Sequence, residues 1–392
     1  MSLNYCSRRD FLSIGGIAVL DAFAFRGIGQ ARQTNHSPTL FVGTYTSGRS
    51  EGIYIYIYNM NVSSGELKYF NTVKRVIDPS FLAVDRTRRF LYPVNELMEF
   101  GGKPGGALSA FSIDQKTGDL NLLNQQPSLG GAPCHVVVDA TGRFVLVANY
   151  TGGNVSVLPV LSDGSLGTAT DMVQHKGSSA NKERQEAPHA HCVVLDRSNR
   201  YAFVADLGLD KVMIYSFDAK AGKLRTARQP WAQLSPGAGP RHFIFHPNGR
   251  YAYVINELDS TLTAFSYDGV HGTLRSMQTV SALPRDFSGD NHCADLHVSP
   301  SGKFLYGSNR GHNSIVVFAI NEGTGKLSYL EHTSTQGKTP RNFAVDPRGR
   351  FLLVANQESD TVVTLLIDPV TGRLKATGHV AEVPTPVCLR FL

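Results

Sequence analysis

Four side chains that could carry out chemistry occupy equivalent places in a repeated sequence pattern: His191, Arg241, Glu257 and Arg310. An arginine guanidinium is a planar, permanently charged group that can hold an anion or neutralise a developing oxyanion. A histidine or a glutamate can take a proton from an attacking water molecule or from carbon. These residue types therefore predict a small-molecule site that binds negative charge and transfers a proton. Surface salt bridging is the alternative that the same residues leave open.

The repeated pattern runs through most of the chain and has two signatures. One is a proline, a strand pattern, a turn ending in Gly-Arg or Arg-Arg, a second strand pattern and an asparagine, as between Pro240 and Asn256. The other is a Gly-x-Leu step that occurs seven times at intervals of 46 to 58 residues, beginning at Gly65, Gly118, Gly164, Gly222, Gly272, Gly325 and Gly372. Each unit is predicted to contain four strands, which in one unit are Asn342–Asp346, Phe351–Ala355, Thr361–Ile367 and Arg373–Gly378.

A period near 50 residues with four strands per unit is typical of a β-propeller blade. Six complete units run from Pro79 to about Val383. The seventh unit is split between the two ends of the repeat region, with strands at Thr39–Tyr45, Gly52–Asn59, Glu66–Val73 and Thr385–Leu392. Closing a ring in this way leaves no free sheet edge, whereas two packed β-sandwiches would not explain a split repeat. The sequence therefore predicts an all-β, seven-bladed propeller over residues 39–392, its seventh blade closed by N-terminal strands plus the C-terminal strand.

Propeller geometry decides which side chains can meet. The innermost strand of a blade and its neighbour are antiparallel, so the start of one and the end of the other lie on one face, around the channel mouth. The strand starts hold Ser80, Cys134, His191, Arg241, Ala294, Arg341 and Val387. The strand ends hold Asn95-Glu96, Asn149-Tyr150, Asp206-Leu207, Asn256-Glu257, Asn309-Arg310 and Asn356-Gln357. Convergence at one mouth suits a small-ligand pocket, and the recurring asparagine is expected to serve the turn.

Composition excludes several classes of protein. Only 18% of the 392 residues are charged, against a usual share of about 25%, and 38 glycines and 19 prolines accompany 42% hydrophobic residues. This balance favours a turn-rich globular β protein over a disordered chain or a coiled coil. The net charge of +6 is dispersed, with no run of five basic residues, so no nucleic-acid partner is predicted. No apolar run approaches 18 residues, so no membrane insertion is expected after signal removal, and a monomer is expected.

The first 31 residues have the features of an export signal. Arg8-Arg9 stands in a Ser-Arg-Arg-x-Phe-Leu segment that resembles a twin-arginine signal, and mostly small, apolar residues follow from Ile14 to Phe25. Asp21 weakens that apolar stretch, and an N-terminal helix of the mature fold is the alternative. The sequence predicts a signal peptide over residues 1–31 and a periplasmic protein that crosses the membrane already folded. Without the signal the protein would be cytoplasmic.

No metal and no cofactor is predicted. His189 and His191 lie two residues apart, but no second cluster of His, Cys or Asp with ligand spacing accompanies them. No Gly-x-Ser-x-Gly segment is present, so a nucleophilic serine of that type is not expected. Small buried thiols are expected at Cys134, Cys192, Cys293 and Cys388, which contain no C-x-x-C pair.

Three segments resemble the seven-bladed β-propeller lactonase family: Ala187-Pro188-His189-Ala190-His191, Gly239-Pro240-Arg241-His242 with Asn256-Glu257, and Ser308-Asn309-Arg310-Gly311. That family includes a propeller-type 6-phosphogluconolactonase and the fungal 3-carboxy-cis,cis-muconate lactonizing enzyme, and the resemblance spans about Thr39 to Leu392. It implies a metal-free propeller whose catalytic residues are His191, Arg241, Glu257 and Arg310. Candidate substrate-binding residues beside this set are Asp295, which also resembles a family position, and His189, Arg341 and Asn149.

Three functions follow from the residues and the resemblance together. The first is a hydrolase that opens the ring of an anionic sugar-acid lactone, with Arg241 and Arg310 on a carboxylate or phosphate and His191 or Glu257 as the base. The second is a muconate-type lactonizing enzyme, and the third is a periplasmic binding or scaffold propeller without chemistry. The family's phosphogluconolactonase is cytoplasmic, whereas this chain carries a predicted export signal. The identity of the small anionic lactone therefore stays open.

Overall fold

Runs of β-branched and aromatic residues, cut by glycine-rich turns, fold into short antiparallel strands. A computed structural model describes residues 39–58 and 64–392; the predicted signal over residues 1–31 lies outside the described residues. In the described part, thirty strands form seven four-stranded sheets and one two-stranded hairpin. No helix within that part has the length and apolar character needed to cross a membrane.

The strands are numbered in chain order, and blades 1 to 6 follow one another along the chain. The first three strands are β1 (Thr39–Thr44), β2 (Gly52–Tyr58) and β3 (Leu67–Lys74). Blade 1 contains β4 (Leu82–Val84), β5 (Phe90–Asn95), the hairpin β6 (Glu99–Phe100) and β7 (Lys103–Pro104), β8 (Ala107–Ile113) and β9 (Leu120–Pro127). Blade 2 contains β10 (Pro133–Val138), β11 (Phe144–Asn149), β12 (Asn154–Pro159) and β13 (Asp171–Gln174). Blade 3 contains β14 (Ala190–Leu195), β15 (Tyr201–Asp206), β16 (Lys211–Asp218) and β17 (Lys223–Gln233).

The second half of the ring repeats the same order. Blade 4 contains β18 (Pro240–Phe245), β19 (Tyr251–Asn256), β20 (Thr261–Asp268) and β21 (Thr273–Ser281). Blade 5 contains β22 (His292–Val298), β23 (Phe304–Arg310), β24 (Ser314–Ile320) and β25 (Leu327–Ser334). Blade 6 contains β26 (Pro340–Val345), β27 (Phe351–Asn356), a 3₁₀ turn (Gln357–Ser359), β28 (Thr361–Ile367) and β29 (Leu374–Glu382). The last strand is β30 (Pro386–Phe391).

The split seventh blade is confirmed. Its sheet has the order β3-β2-β1-β30, so the last strand of the ring pairs with the first. Leu40 pairs with Phe391 and Val42 with Leu389, and Leu40, Val42 and Leu389 are buried in the core between blades 6 and 7. Strand boundaries differ from the prediction by a few residues. The largest change is at β29, which extends to Glu382 because its solvent-facing residues continue the ladder with β28.

The Gly-x-Leu step packs one blade against the preceding one. Gly164, in the turn before β13, has a positive φ of 89°, and a Cβ there would lie 2.0 Å from the ring of Phe90 in blade 1. Only glycine combines this backbone conformation with so close an approach. The same contact recurs around the ring at Gly222 on Phe144, Gly272 on Tyr201, Gly325 on Tyr251, Gly372 on Phe304 and Gly65 on Phe351. The repeat is therefore a packing signature.

The Gly-Arg turns also connect blades. Arg200 lies over the ring of Tyr201 at 5.6 Å and donates a hydrogen bond to the carbonyl of Gly269 in the next blade. Equivalent pairs are Arg143 with Phe144 and Arg250 with Tyr251. A cation over an aromatic face contributes about 0.5–1 kcal/mol at an exposed site. Part of the dispersed positive charge is thus used for interblade contacts.

Candidate active site

An extra residue in each of several innermost strands redirects one side chain. In blade 4, Pro240 pairs with Asn256 and His242 pairs with Ile255, so Arg241 is skipped in the ladder. A β-bulge of this kind bends the strand and re-aims the skipped side chain. The same shift skips Cys134, His191, Arg341, Val387 and the pair Ala294 and Asp295.

The repeat places two sets of side chains at the start of the innermost strands. The residues of the bulges and their blade 1 equivalent, which we call the mouth ring, are Ser80, Cys134, His191, Arg241, Ala294, Arg341 and Val387. The residues that follow them, which we call the inner ring, are Phe81, His135, Cys192, His242, Asp295, Asn342 and Cys388. One cavity is lined by members of both rings, including His191, Arg241, His242 and Arg341. The sequence prediction named the mouth ring but, apart from Asp295, missed the inner ring.

A tight turn brings Glu257 beside Arg241. Gly239, directly before β18, has a φ of 66°, and its carbonyl accepts a hydrogen bond from the Glu257 amide at 2.7 Å. A Cβ on Gly239 would lie 2.5 Å from the Leu258 side chain, so this position requires glycine. The Asp210 carboxylate holds the turn by accepting the Gly239 amide at 2.7 Å.

Glu257 is buried among three arginines. One carboxylate oxygen lies 2.8 Å from Nη2 of Arg184, and the other lies 3.0 Å from Nε of Arg241 and 2.8 Å from Nη2 of Arg310. Burial alone would raise the pKa of Glu257, but the charges of Arg310 and Arg241 and the hydrogen bond from Arg184 hold it well below its usual range. Burial lowers the pKa of Arg310 to about 10, which leaves it charged at pH 7. Three guanidinium groups against one carboxylate give this cluster a net charge of +2.

Two of these arginines keep donors that the rest of the site does not use. Nη1 of Arg241 donates to the Ala294 carbonyl at 2.7 Å, and its Nη2 has no partner among the described residues. Arg310 uses Nε on the His292 carbonyl and Nη2 on Glu257, and its Nη1 likewise has no partner in that part of the chain. Such donors can hold an oxyanion or a carboxylate.

Arg184 was missed by sequence reasoning. It comes from the loop between β13 and β14 and reaches both Glu257 and the Tyr150 hydroxyl, the latter at 3.2 Å. Asp210 anchors this loop by accepting hydrogen bonds from Ser179 at 2.6 Å and from Gln185 at 2.7 Å. The loop lies outside the repeated strand pattern, so the repeat register gave no signal for it.

His191 is a buried neutral imidazole in the cavity wall. Its ring lies edge-on to Tyr150 at 5.6 Å and to His242 at 5.4 Å, and its Nδ1 is buried without a partner among the described residues. Burial, followed by the positive charge of Arg241, holds the pKa of His191 well below its usual value. The ring therefore carries no charge at neutral pH.

His242 forms a dyad with Asp295. Its Nδ1 lies 2.6 Å from Asp295, and its Nε2 lies 3.3 Å from Nη1 of Arg241. Because arginine can only donate, Nε2 must be the acceptor and Nδ1 the protonated nitrogen. Burial lowers the pKa of His242 to about 4, although the Asp295 charge opposes this shift.

Asp295 lies behind His242 with both oxygens occupied. Its carboxylate accepts hydrogen bonds from His242, His297, Asn342 and two backbone amides, the shortest from His242 and the Asn342 side-chain amide, both at 2.6 Å. Burial would raise the pKa of Asp295, but His297 and His242 keep it well below its usual value. Asp295, predicted as a substrate-binding residue, is in this geometry a partner of His242.

Arg341 lines the cavity but belongs to a second polar group. Its Nη2 donates to the Tyr45 hydroxyl at 2.7 Å, and its guanidinium lies 5.2 Å over the same ring. The Tyr45 hydroxyl donates in turn to Glu96 at 3.0 Å, and the Ser80 hydroxyl also donates to that carboxylate. Arg341, Glu96 and Ser80 therefore form a separate polar wall of the cavity.

A family comparison agrees with the seven-bladed fold. The family described as lactonase, 7-bladed beta-propeller, matches residues 39–391. The chain belongs to this lactonase family. The 6-phosphogluconolactonase of Bacillus subtilis is 39% identical over 352 residues, which cover 90% of this chain and 97% of that protein. A 6-phosphogluconolactonase of Formosa agariphila is 37% identical over 309 residues, covering 78% and 86% of the two chains.

A solved structure shares both fold and sequence with this lactonase-family chain. The periplasmic gluconolactonase of Pseudomonas aeruginosa superposes with a TM-score of 0.85 and is 36% identical, covering 91% of this chain and 99% of that one. At this identity the likeness extends beyond the fold to much of the sequence that builds the propeller.

Two predicted substrate-binding residues of this family member lie behind the cavity wall. Both ring nitrogens of His189 have partners, the Tyr150 carbonyl and Glu186, each at 3.1 Å, and the ring stacks on Tyr150. Asn149 is fully buried, and its amide bonds the Ser128 carbonyl at 3.1 Å and Asn154 at 2.6 Å. Neither residue lines the cavity formed by the two rings, as is also the case for Glu257 and Arg310, so a role of His189 and Asn149 in substrate binding stays a prediction.

The four cysteines from Cys134 onward are buried free thiols, as predicted. Cys134 lines the cavity, but burial raises its pKa well above the usual value, so its thiol stays protonated and is a poor nucleophile. Over residues 39–58 and 64–392, no group of three or more His, Cys, Asp or Glu side chains could hold a metal ion.

Proposed function

We propose that this protein is a lactonase that hydrolyses the ring ester of a sugar-acid lactone to the hydroxy acid. The observation that carries the proposal is the cluster of Glu257 with three arginines, of which Arg241 lines a cavity together with the uncharged imidazoles of His191 and His242. Opening a lactone with water is accelerated by a donor or cation at the carbonyl oxygen and by a proton acceptor near the water. Arg241 and the two imidazoles supply both kinds of group.

Arg241 and Arg310 stabilise the negative charge that develops in this reaction. Both arginines pair with the same oxygen of Glu257, and each keeps a terminal guanidinium nitrogen for the carbonyl oxygen or for the carboxylate of the product. The net +2 charge of the cluster favours these anionic species over the neutral ester. A charge-assisted contact of this kind is worth roughly 1.5–3 kcal/mol.

Glu257 holds the arginines and is not the base. His191 and Glu257 were equal candidates for proton acceptor from the sequence. Both oxygens of the Glu257 carboxylate are held in ion pairs with arginines, so neither is free to take a proton from water. We therefore assign Glu257 a positioning role and assign proton transfer to a neutral histidine of the cavity, with His191 available to contact the substrate.

The substrate that we propose is an unphosphorylated gluconolactone. Relatives of this chain include 6-phosphogluconolactonases and a periplasmic gluconolactonase. The predicted twin-arginine signal over residues 1–31 favours the periplasmic kind, where phosphorylated sugars are scarce. We also propose that the exported protein is a monomer, which size-exclusion chromatography with light scattering would test.

Acid release from purified protein tests the proposed function. Glucono-δ-lactone, 6-phosphogluconolactone and a muconolactone are each mixed with the protein at pH 7, and uncatalysed hydrolysis is subtracted. We expect acceleration with glucono-δ-lactone and weaker or no acceleration with the muconolactone. Faster hydrolysis of 6-phosphogluconolactone would replace the proposed substrate by its phosphorylated form. No acceleration with any of the three would overturn the lactonase proposal.

Replacing Arg8 and Arg9 together by lysine tests the proposed export. The twin-arginine pair is read by its receptor as an address, so the double variant should remain in the cytoplasm as a precursor. Cell fractionation with immunodetection measures this, and replacement of Lys182 and Lys220 by arginine is the matched control. Periplasmic protein from the double-lysine variant would overturn the signal.

A further inference from the structure

We infer that His242, oriented by Asp295, is the base that takes the proton from the attacking water; this inference rests on the proposed lactone hydrolysis. The two residues are adjacent in the inner ring and come from β18 and β22. The sequence pattern that identified the mouth ring did not assign His242 as a base or Asp295 as the residue that orients it. The geometry of the dyad assigns both roles.

The hydrogen bonds select one tautomer of His242. Nδ1–H donates to Asp295 at 2.6 Å, and Nε2 accepts a long hydrogen bond from Nη1 of Arg241 at 3.3 Å. A base oriented by a carboxylate on its far nitrogen is a recurring arrangement in hydrolases. A water that donates to Nε2 replaces this long contact, while Nη1 of Arg241 keeps its 2.7 Å hydrogen bond to the Ala294 carbonyl. Arg241 is then adjacent to the water, so the proton acceptor and the cation that stabilises the oxyanion lie side by side.

The other candidate bases in the cavity lack this arrangement. His191 has no partner on Nδ1 among the described residues, so no hydrogen bond on that nitrogen fixes its tautomer. Glu257 is fully engaged with arginines. The charged and titratable groups that face His242 from the neighbouring strands or line the same cavity are Asp295, Arg241, His191, His135, His297, Arg341, Cys134 and Glu96. Of the two carboxylates, Asp295 is the one that hydrogen-bonds His242, so it stabilises the imidazolium that forms during the reaction.

The proton and electron pairs balance over one cycle. The water oxygen bonds to the lactone carbonyl carbon, the carbonyl π pair moves to oxygen beside Arg241, and the water proton moves to Nε2 of His242. Collapse of the tetrahedral intermediate breaks the ring carbon–oxygen bond, and the leaving oxygen takes the proton back from His242. One water is consumed, and the carboxylic acid formed releases one proton to solvent.

His242→Asn tests the assignment. Asparagine keeps a side-chain N–H that can reach Asp295 and removes Nε2, so the fold should be retained. We expect kcat on the gluconolactone to fall about 100-fold or more, as for loss of a general base, with KM changed by no more than a few-fold. The residual rate should rise in proportion to hydroxide, because solvent hydroxide replaces the missing base. Stopped-flow acid release over pH 5–8 measures both.

His135→Asn is the matched control. His135 occupies the same inner-ring position in blade 2, has no carboxylate partner and stacks on Phe81. Its variant should keep the kcat and the pH profile of the parent. His191→Asn should weaken activity without making the rate depend on hydroxide, which separates substrate contact from proton transfer.

The outcomes distinguish this inference from the function on which it rests. If the parent is active and His242→Asn keeps its kcat, the inference fails and the lactonase proposal stands. If the parent hydrolyses no lactone, both fail. Should His242→Asn not fold, the pH profile of the parent decides. Activity that falls only as pH approaches about 4 supports a base with the lowered pKa of His242, and a fall near pH 6.5 overturns it.

Discussion

Arg241 links the two halves of the site. Its Nε faces Glu257, its Nη1 faces the Ala294 carbonyl and His242, and its Nη2 remains for a ligand. The residue therefore combines a structural ion pair with a donor that no described protein group uses. Loss of this side chain should affect activity more than folding, because Glu257 keeps two other arginines.

Arg241→Ala should lower kcat/KM on a gluconolactone by about tenfold to a hundredfold. A charge-assisted contact is worth roughly 1.5–3 kcal/mol, and each 1.36 kcal/mol is a factor of about ten in rate. Arg341→Ala is the control within the same cavity and should cost less, because Arg341 is used on Tyr45. Equal losses in the two variants would contradict the assignment of Arg241 to the oxyanion.

Glu257→Gln should lower both the melting temperature and kcat/KM. Removing one partner of a buried ion pair costs about 3–5 kcal/mol, because the remaining charges stay buried and uncompensated. Glu96→Gln is the control, since that carboxylate receives neutral hydroxyl donors. An unchanged melting temperature with a fall in kcat alone would instead support Glu257 as a base.

Residue types in repeat register located the mouth ring from sequence alone. His191, Arg241, Glu257 and Arg310 could be placed together because the register needs only the order of strands and turns. The same repeat also aligns the residues of the inner ring, which follow the mouth ring by one position. A buried histidine such as His242 cannot be told from an ordinary core residue, however, until its acidic partner Asp295 is known. Arg184 could not be placed, because an irregular loop carries it and only folding brings it to Glu257.

At the scale of the strand, the bulge is the feature that the sequence did not reveal. Four innermost strands begin with proline, which lacks an amide proton and suits a strand start; these are Pro133, Pro240, Pro340 and Pro386. The alternation of side chains predicted which residues begin each strand, but the shift of one residue after the proline is a property of the paired backbones. That shift turns Arg241 and its equivalents out of the ladder.

Deletion of residues 386–392 should cause aggregation or a large fall in melting temperature. These residues form β30, and without them the backbone groups of β1 along the channel lose their partners. Deletion of residues 1–31 is the control, since the strands of the seven blades lie between Thr39 and Phe391. A truncated chain that melts with the full-length protein would refute the closure of the seventh blade by β30.

At the scale of the whole molecule, stability should decrease as pH falls from about 6.5. Burial lowers the pKa of His135, His191 and His242 in the folded state. Below about pH 6.5 the unfolded chain binds protons that these imidazoles do not, so protonation favours unfolding. Glu257 and Asp295, whose pKa values are lowered, add stability that is present above about pH 4 and lost below it.

Thermal melting between pH 7.5 and 5 checks this prediction. The melting temperature should decrease steadily over this interval, before most carboxylates titrate. His135→Asn removes one of the three buried imidazoles and should make the decrease shallower. A flat melting temperature down to pH 5 would show that the buried histidines bind protons in the folded state as readily as in the unfolded chain.

The pairing of β1 with β30 also constrains the order of events during translation. About 350 residues separate the two strands, which at roughly 5–20 residues per second is some 20 to 70 s of synthesis. Throughout that interval β1 remains unpaired on the side that β30 will occupy, while blades 1 to 6 can form one after another. Transport of the chain before β30 emerges would export an open ring. A translocation route that transports only folded proteins therefore suits this architecture, because β1 and β30 must pair before the protein crosses the membrane.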